Sequence, residues 1–335
     1  MLLGLYHATF DAVNNISMHL LNPYTYKSLH KYSIPIYILF LLVCLVNYST
    51  PPIALALGCI VAQLVHNPFK KLTYKGVDWL LKGSVVGLGF GMQLDKALEV
   101  GQQGLGYATF SIILTLGLGL FLGRWFGLHK HITALISSGT AICGGSAIAA
   151  ISPVINAKAK HVSIALGVVF VLNALALFIF PVVGHIFQLS EYQFGLWSAI
   201  AIHDTSAVVG AAQAYGNQAL EIATTVKLVR ALWIIPVSIF FLFVSKGKLK
   251  TVKIPYFIGL FVVAILINNY VPYMEVITPS IVSLSKVMLT VVLFLIGSTL
   301  ELSTLKQFGI QPIVLGTVLW ISVAISSLLF ILYTT

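Results

Sequence analysis

The sequence predicts an all-α, polytopic membrane protein built as a single domain, on three observations. The 335 residues are 59% hydrophobic and only 8% charged, whereas soluble domains carry about 25% charged residues; mean hydropathy is +0.99. Apolar runs of about twenty residues, the length that crosses a bilayer, recur from residue 33 to the end. The basic residues gather in short loops between those runs, which is the pattern of cytoplasmic connections. The balance of 19 Lys+Arg against 9 Asp+Glu therefore indicates a lipid bilayer as partner and no nucleic acid.

Taken in order, Leu3, Tyr6, Phe10 and Val13 recur at helical spacing and predict an interfacial helix over residues 1–22. Asp11, Asn14 and Asn15 interrupt it and no basic region precedes it, which argues against a cleavable signal peptide. About nine full transmembrane helices follow, near 33–49, 51–66, 76–93, 104–123, 161–186, 222–244, 254–271, 277–297 and 310–333. Pro51-Pro52 leaves only a tight turn between the first two. Two further segments, 133–157 and 193–217, are apolar but broken by Gly, Ser and Thr. The three cysteines, Cys44, Cys59 and Cys143, lie in apolar segments with no metal-type or redox spacing.

Lys27/Lys31, Lys70/Lys71/Lys75, Arg124/Lys130 and Lys246/Lys248/Lys250/Lys253 are expected in the cytoplasm of a bacterial inner membrane. Threading the spans between them puts the N-terminus inside and the C-terminus outside. Lys158, Lys160 and His161 join that cytoplasmic set only if 133–157 enters and leaves on one side. Two opposed re-entrant hairpins are therefore favoured over two full broken spans. Gly-x-x-Leu-acid occurs at Gly91–Asp95 and again at Gly297–Glu301, on opposite sides in this threading, as in an inverted repeat.

The stretch Ser137-Ser138-Gly139-Thr140-Ala141-Ile142-Cys143-Gly144-Gly145-Ser146 carries the first candidate site. Gly in mid-helix costs roughly 1 kcal/mol relative to Ala, and a backbone freed from helical pairing inside a membrane survives only where protein or a watery cavity satisfies it. Transporters use such breaks to point unpaired N–H groups at substrate; a tightly packed small-residue seam is the competing reading. The second segment has His203-Asp204-Thr205-Ser206. Aligning Ser146 with Ser206 superposes Gly-Gly-Ser-Ala-Ile on Asp-Thr-Ser-Ala-Val, so the two segments look like copies of one device. Ionisable residues at membrane depth usually serve a cavity: Asp204 suits a coupling Na⁺ or H⁺, His203 a titrating role, and a structural ion pair is the alternative. Asn173, mid-span, suits either a helix contact or the site. Lys227 and Arg230 share a helix face; snorkelling is expected for Lys227, and for Arg230 it stands as the alternative to oxyanion recognition. Asp78 and Lys82 are spaced for an ion pair within one helix; Lys82 and Lys286 are expected to be structural, with neutralising an anion as the alternative for either. No hydrolase, zinc-protease or P-loop motif is present in the sequence.

At these residues the chain resembles the YeiH-like bacterial membrane proteins labelled sulfate exporters, from about residue 33 onward. That family is grouped with the cation:proton antiporter/anion transporter superfamily, which includes bile-acid, citrate and glutamate carriers. The resemblance implies inverted repeats, a core with broken helices or hairpins, and often a homodimer moving elevator-fashion.

The resulting expectation is a non-enzymatic secondary transporter of a small anion (sulfate, sulfite or an organosulfonate) coupled to Na⁺ or H⁺, with no other cofactor. Ser138, Thr140, Cys143, Gly144, Gly145, Ser146, Asn173, His203, Thr205, Ser206 and Arg230 would bind substrate, and Asp204 the coupling ion. Alternatives are a cation/proton antiporter without an anion substrate, and a membrane subunit of an ion-pumping enzyme complex.

Overall fold

The computed structural model describes residues 33–46, 50–65, 67–245, 256–299 and 309–334. The expected interfacial helix at 1–22, Lys27/Lys31, the basic loop at 246–253 and Glu301 lie outside the described residues. Those described form helices and connecting turns, without strands. In chain order the helices are α1 (Ser33–Val46), α2 (Pro51–Val65), α3 (Lys70–Gly89), α4 (Leu94–Trp125), α5 (Lys130–Ala141), α6 (Gly145–Val154) and α7 (Ala159–Ile186). The second half holds α8 (Glu191–Ala201), α9 (Thr205–Tyr215), α10 (Asn217–Ala231), α11 (Ile234–Ser245), α12 (Tyr256–Tyr270), α13 (Met274–Gly297) and α14 (Ile310–Thr334).

Five segments are long and apolar enough to cross a membrane: α4, α7, α10 with α11, α13 and α14. In the most apolar window of each, only 33–44% of residues are buried inside the protein. The rest present large apolar side chains outward, including Phe110, Phe121, Phe243 and Leu329, as lipid-facing helices do. The expected spans at 33–49, 51–66 and 254–271 appear as helices of 14, 15 and 15 residues, about 21–23 Å long. These described stretches are shorter than the roughly 30 Å hydrocarbon core, and residues 47–49, 66 and 254–255 of the expected spans lie outside the described residues. Helix α3, at the expected span 76–93, has 20 residues, but Lys70, Lys71, Lys75, Asp78 and Lys82 make much of it polar. Nine full spans are thus not seen among the described residues.

The helices form two bodies. In the smaller, α13 packs along α2 and α3, with α1 and α12 against them. Gly58 and Gly297 let α2 and α13 touch backbone to backbone, since a Cβ on either would overlap the other helix's main chain. Tyr37, Val61 and Phe294 fill the space beside that crossing. The larger body holds α4 to α11 and α14, with Trp197 of α8 stacked on Phe180 of α7 and donating its indole N–H to the Ala324 carbonyl of α14 (2.9 Å). The bodies meet chiefly through α9 on α2 and α13, where Gly210 admits Leu293 and Pro51.

Inside the larger body, both broken segments turn back on themselves. Helices α5 and α6 pack side by side, with Ile148 against Gly139. Helices α8 and α9 do the same: Phe194 stacks on Tyr215 at 3.8 Å, and the Tyr215 hydroxyl donates to the Leu189 carbonyl. Each arm has 10–12 residues, about 15–18 Å, or half a hydrocarbon core. Helix α7 shows how the two hairpins are directed. Its start touches the base of the first hairpin, where His161 meets His129. Its end touches the base of the second, where Gly184 abuts Phe194 and Tyr215. The hairpins therefore enter from opposite ends of α7, and their tips meet at its middle.

Candidate functional site

The site is built by the two tips. The first hairpin turns through Ile142, Cys143 and Gly144, and Gly144 has φ +61° and ψ −121°, a conformation open essentially to glycine alone. Its N–H donates to the Gly139 carbonyl (2.8 Å). A Cβ here would lie 3.3 Å from both Asp204 Cα and Val169 Cγ1, so the turn is tight and the opposing tip is in contact. The second hairpin turns at Ile202–Asp204. There the Asp204 carboxylate caps α9 by accepting from the Ser206 N–H (3.1 Å) and from the Ser206 hydroxyl. Asn173, the fifteenth of the 28 residues of α7, accepts through Oδ1 from the N–H groups of His203 (3.0 Å) and Asp204 (3.1 Å). Its Nδ2 has no partner among the described residues.

Each hairpin presents two kinds of helix end at its tip, and the fold treats them differently. The last carbonyls of a helix have no intrahelical donor and form its negative pole. Those of α5 and α8 are gathered by two side chains of α10. Arg230 donates from Nε to Ala141 (2.8 Å), from Nη2 to Thr140 (3.2 Å), and from Nη1 to Ala199 (3.0 Å) and Ile200. Lys227 Nζ donates to Ile202 (2.7 Å), Ile142 (3.2 Å) and Ala199 (3.3 Å). Both side chains are fully buried. The positive poles, at the first residues of α6 and α9, face the other way. Ser146 and Ser206 are each the second residue of a returning helix, and α6 has no side-chain cap at all.

These N-termini open on a cavity of about 220 Å³ between the two bodies, lined by Gly145, Ser146, Asn173, Asp204 and Ser206 from the larger body. Asp78 and Thr299 line it from the smaller body, with apolar walls such as Leu55 and Phe170. Asp78 accepts from Lys82 (2.6 Å), the ion pair expected within α3. A second cavity of about 260 Å³ lies further along α3 and α13, lined by Met92, Asn217, Glu221 and Lys286; there Lys286 donates to Asn217 Oδ1 (2.8 Å).

Of the residues read from the sequence, Gly145, Ser146, Asn173, Asp204 and Ser206 therefore share the first cavity. Ser138, Thr140, Cys143, Gly144, His203 and Thr205 are buried in or behind the tips and are not among its lining. The Ser138 hydroxyl donates to Ala134 within its helix, and both His203 nitrogens are buried without a partner among the described residues. Two readings are corrected. Lys227 does not snorkel: α10 packs that face against both hairpins, and the fully buried ammonium donates to three carbonyls at their tips. Arg230 is not among the residues lining the cavity, and its guanidinium instead donates to four backbone carbonyls. Asp78 and Thr299 were not anticipated; they are far from the tips in sequence, and only the packing of α3 and α13 against the larger body brings them there.

These features define a helical membrane protein whose broken helices converge on an interior cavity. The chain belongs to the family described as Conserved hypothetical protein 698, whose model matches residues 43–316. It is 47% identical to a UPF0324 membrane protein of Bacteroides thetaiotaomicron over 85% of this chain and 87% of that one. It is 46% identical to another from Photobacterium profundum, over 89% and 91% of the two chains, and 45% identical to one from Shewanella oneidensis, over 89% and 94%. No solved structure matches.

Proposed function

We propose that the protein is a secondary active transporter of a small anion, coupled to Na⁺ or H⁺, and carries out no covalent chemistry. The observation that carries this reading is the polarity of the tips. The negative poles of α5 and α8 are covered by Arg230 and Lys227, while the positive poles of α6 and α9 open on the cavity. Helix N-termini bind anions through their free N–H groups and dipole. The N–H groups of Gly145 and Ser146, the Ser146 hydroxyl and the Asn173 amide are suited to hold such an anion. A cavity of about 220 Å³ is below the range of drug-sized pockets and suits sulfate, sulfite or a short organosulfonate, the substrates the YeiH-like resemblance implies.

Asp204 supplies the coupling. A carboxylate about 5–6 Å from a bound anion repels it by roughly 3 kcal/mol at an effective dielectric of 20. Na⁺ or a proton on Asp204 removes that repulsion, so cation and anion favour each other's binding. Two cavities at successive positions along the α3–α13 pair support alternating access, by elevator-like sliding of the larger body on the smaller in a homodimer. The opposed hairpins support an inverted repeat, with the inner-membrane threading read from the basic loops.

The test is thermal stability of the purified protein against sulfate, sulfite, thiosulfate, taurine and dicarboxylates, each with and without Na⁺ and at two pH values. An anion at about a hundred times its Kd adds roughly 2.7 kcal/mol. Stabilisation by one anion that Ser146→Ala weakens is the expected result. Response to Na⁺ or pH alone would replace this reading with the cation antiporter.

A further inference from the structure

Away from the tips, the base of the first hairpin brings three imidazoles together. His129 precedes α5, His131 is its second residue, and His161 is the third residue of α7. Ring centroids are 4.2 Å apart for His129 and His161, 5.0 Å for His129 and His131, and 5.7 Å for His131 and His161. One nitrogen from each ring lies within 4.8 Å of the other two. The Nδ1 atoms of His131 and His161 are buried without a partner among the described residues. A tetrahedral Zn²⁺ with bonds of 2.0–2.1 Å needs donor nitrogens about 3.3 Å apart, which small rotations of these rings reach.

We propose that His129, His131 and His161 form a site for a borderline divalent transition metal of the Zn²⁺ class, joining the base of the first hairpin to the start of α7. The donor set selects the metal. Imidazole suits Zn²⁺, Ni²⁺ and Cu²⁺, whereas Mg²⁺ and Ca²⁺ require oxygen ligands, and the cluster contains no carboxylate. Lys130, Lys158 and Lys160 flank the three histidines in sequence, so binding there relies on coordinate bonds and not on net charge. The site also acts on its own hairpin. His129 Nδ1 accepts from the His131 N–H (3.2 Å) and so caps α5. Coordination through Nε2 moves the ring proton to Nδ1 and releases that cap, which couples metal binding to the start of α5. This inference is independent of the transport reading.

The experiment uses the full chain in detergent, purified without a histidine tag, with Zn²⁺ titrated by calorimetry and Co²⁺ by absorbance. One equivalent of Zn²⁺ should bind, Mg²⁺ and Ca²⁺ should not compete, and Co²⁺ should show the visible bands of a nitrogen-ligated, four-coordinate ion. His129→Gln and His161→Gln should each weaken Zn²⁺ binding at least tenfold while leaving the thermal midpoint without metal within a few degrees. His185→Gln, at the far end of α7, should have no effect. Absence of saturable Zn²⁺ binding, or binding that survives His129→Gln and His161→Gln together, overturns the proposal.

Discussion

Replacing Arg230 with Met separates a structural cation from a substrate-binding one. The side chain is fully buried and satisfies the carbonyls of Thr140, Ala141, Ala199 and Ile200. Of these, Ala199 keeps a bond from Lys227 at 3.3 Å, so three carbonyls are left without that donor. An unsatisfied buried polar group costs about 1–3 kcal/mol, which puts the loss near 3–9 kcal/mol. Removing the burial cost of the guanidinium itself offsets part of this, so about 3–5 kcal/mol is the working figure. At roughly 2–4 °C per kcal/mol, the thermal midpoint should fall by about 6–20 °C. Arg230→Lys should recover only part of it, because an ammonium lacks the planar fork that spans both hairpins. The assay is thermal unfolding in detergent followed by size-exclusion fluorescence, with and without the stabilising anion. A variant that melts like the wild type but no longer responds to anion would refute the structural assignment and return Arg230 to the cavity.

Asp204→Asn keeps an N-cap acceptor for α9 but removes the charge. It should leave the melting temperature within a few degrees and abolish the Na⁺ or pH dependence of anion binding; an unchanged dependence in proteoliposome flux would dismiss the coupling role. Gly144→Ala forces a residue with a Cβ into φ +61° against Asp204 and Val169. Strain of about 1–3 kcal/mol is expected, visible as a lower melting temperature and weaker anion binding together. Ser206→Ala removes both a cavity hydroxyl and the bond to Asp204, so anion affinity and cation dependence should shift together, whereas Ser146→Ala should change affinity alone.

Much of the geometry of the two tips is legible in the chain. The Gly-Gly pair between apolar arms marked the first tip, and Ser146 and Ser206 do take equivalent places at the second residues of α6 and α9. The Asp78–Lys82 spacing foretold their contact, because neighbours four apart on a helix depend on local geometry only. Lys227 and Arg230 show where such reasoning stops. Their spacing places them on one face of α10, but whether that face meets lipid or protein depends on helices far away in sequence. An amphipathic cation among apolar neighbours is written the same way in both cases. Asp78 reads in the sequence only as half of a local ion pair, since its place in the cavity wall depends on the packing of two bodies. The expected spans at α1, α2 and α12 run into positions outside the described residues, at 47–49, 66 and 254–255, and α12 ends one residue before the expected boundary.

The two cations of α10 also limit how the protein can move. Each tip is stapled to the same helix, and Ala199 of the second tip is shared between both side chains. Neither tip can lift away without breaking bonds to a buried charge, and the two cannot part from each other without moving α10. The hairpins therefore make a poor pair of independent gates. Any change in access to the cavity therefore falls to movement between the two bodies, across the wall formed by α2, α3 and α13, where no such staple occurs among the described residues and α9 is met across Gly210.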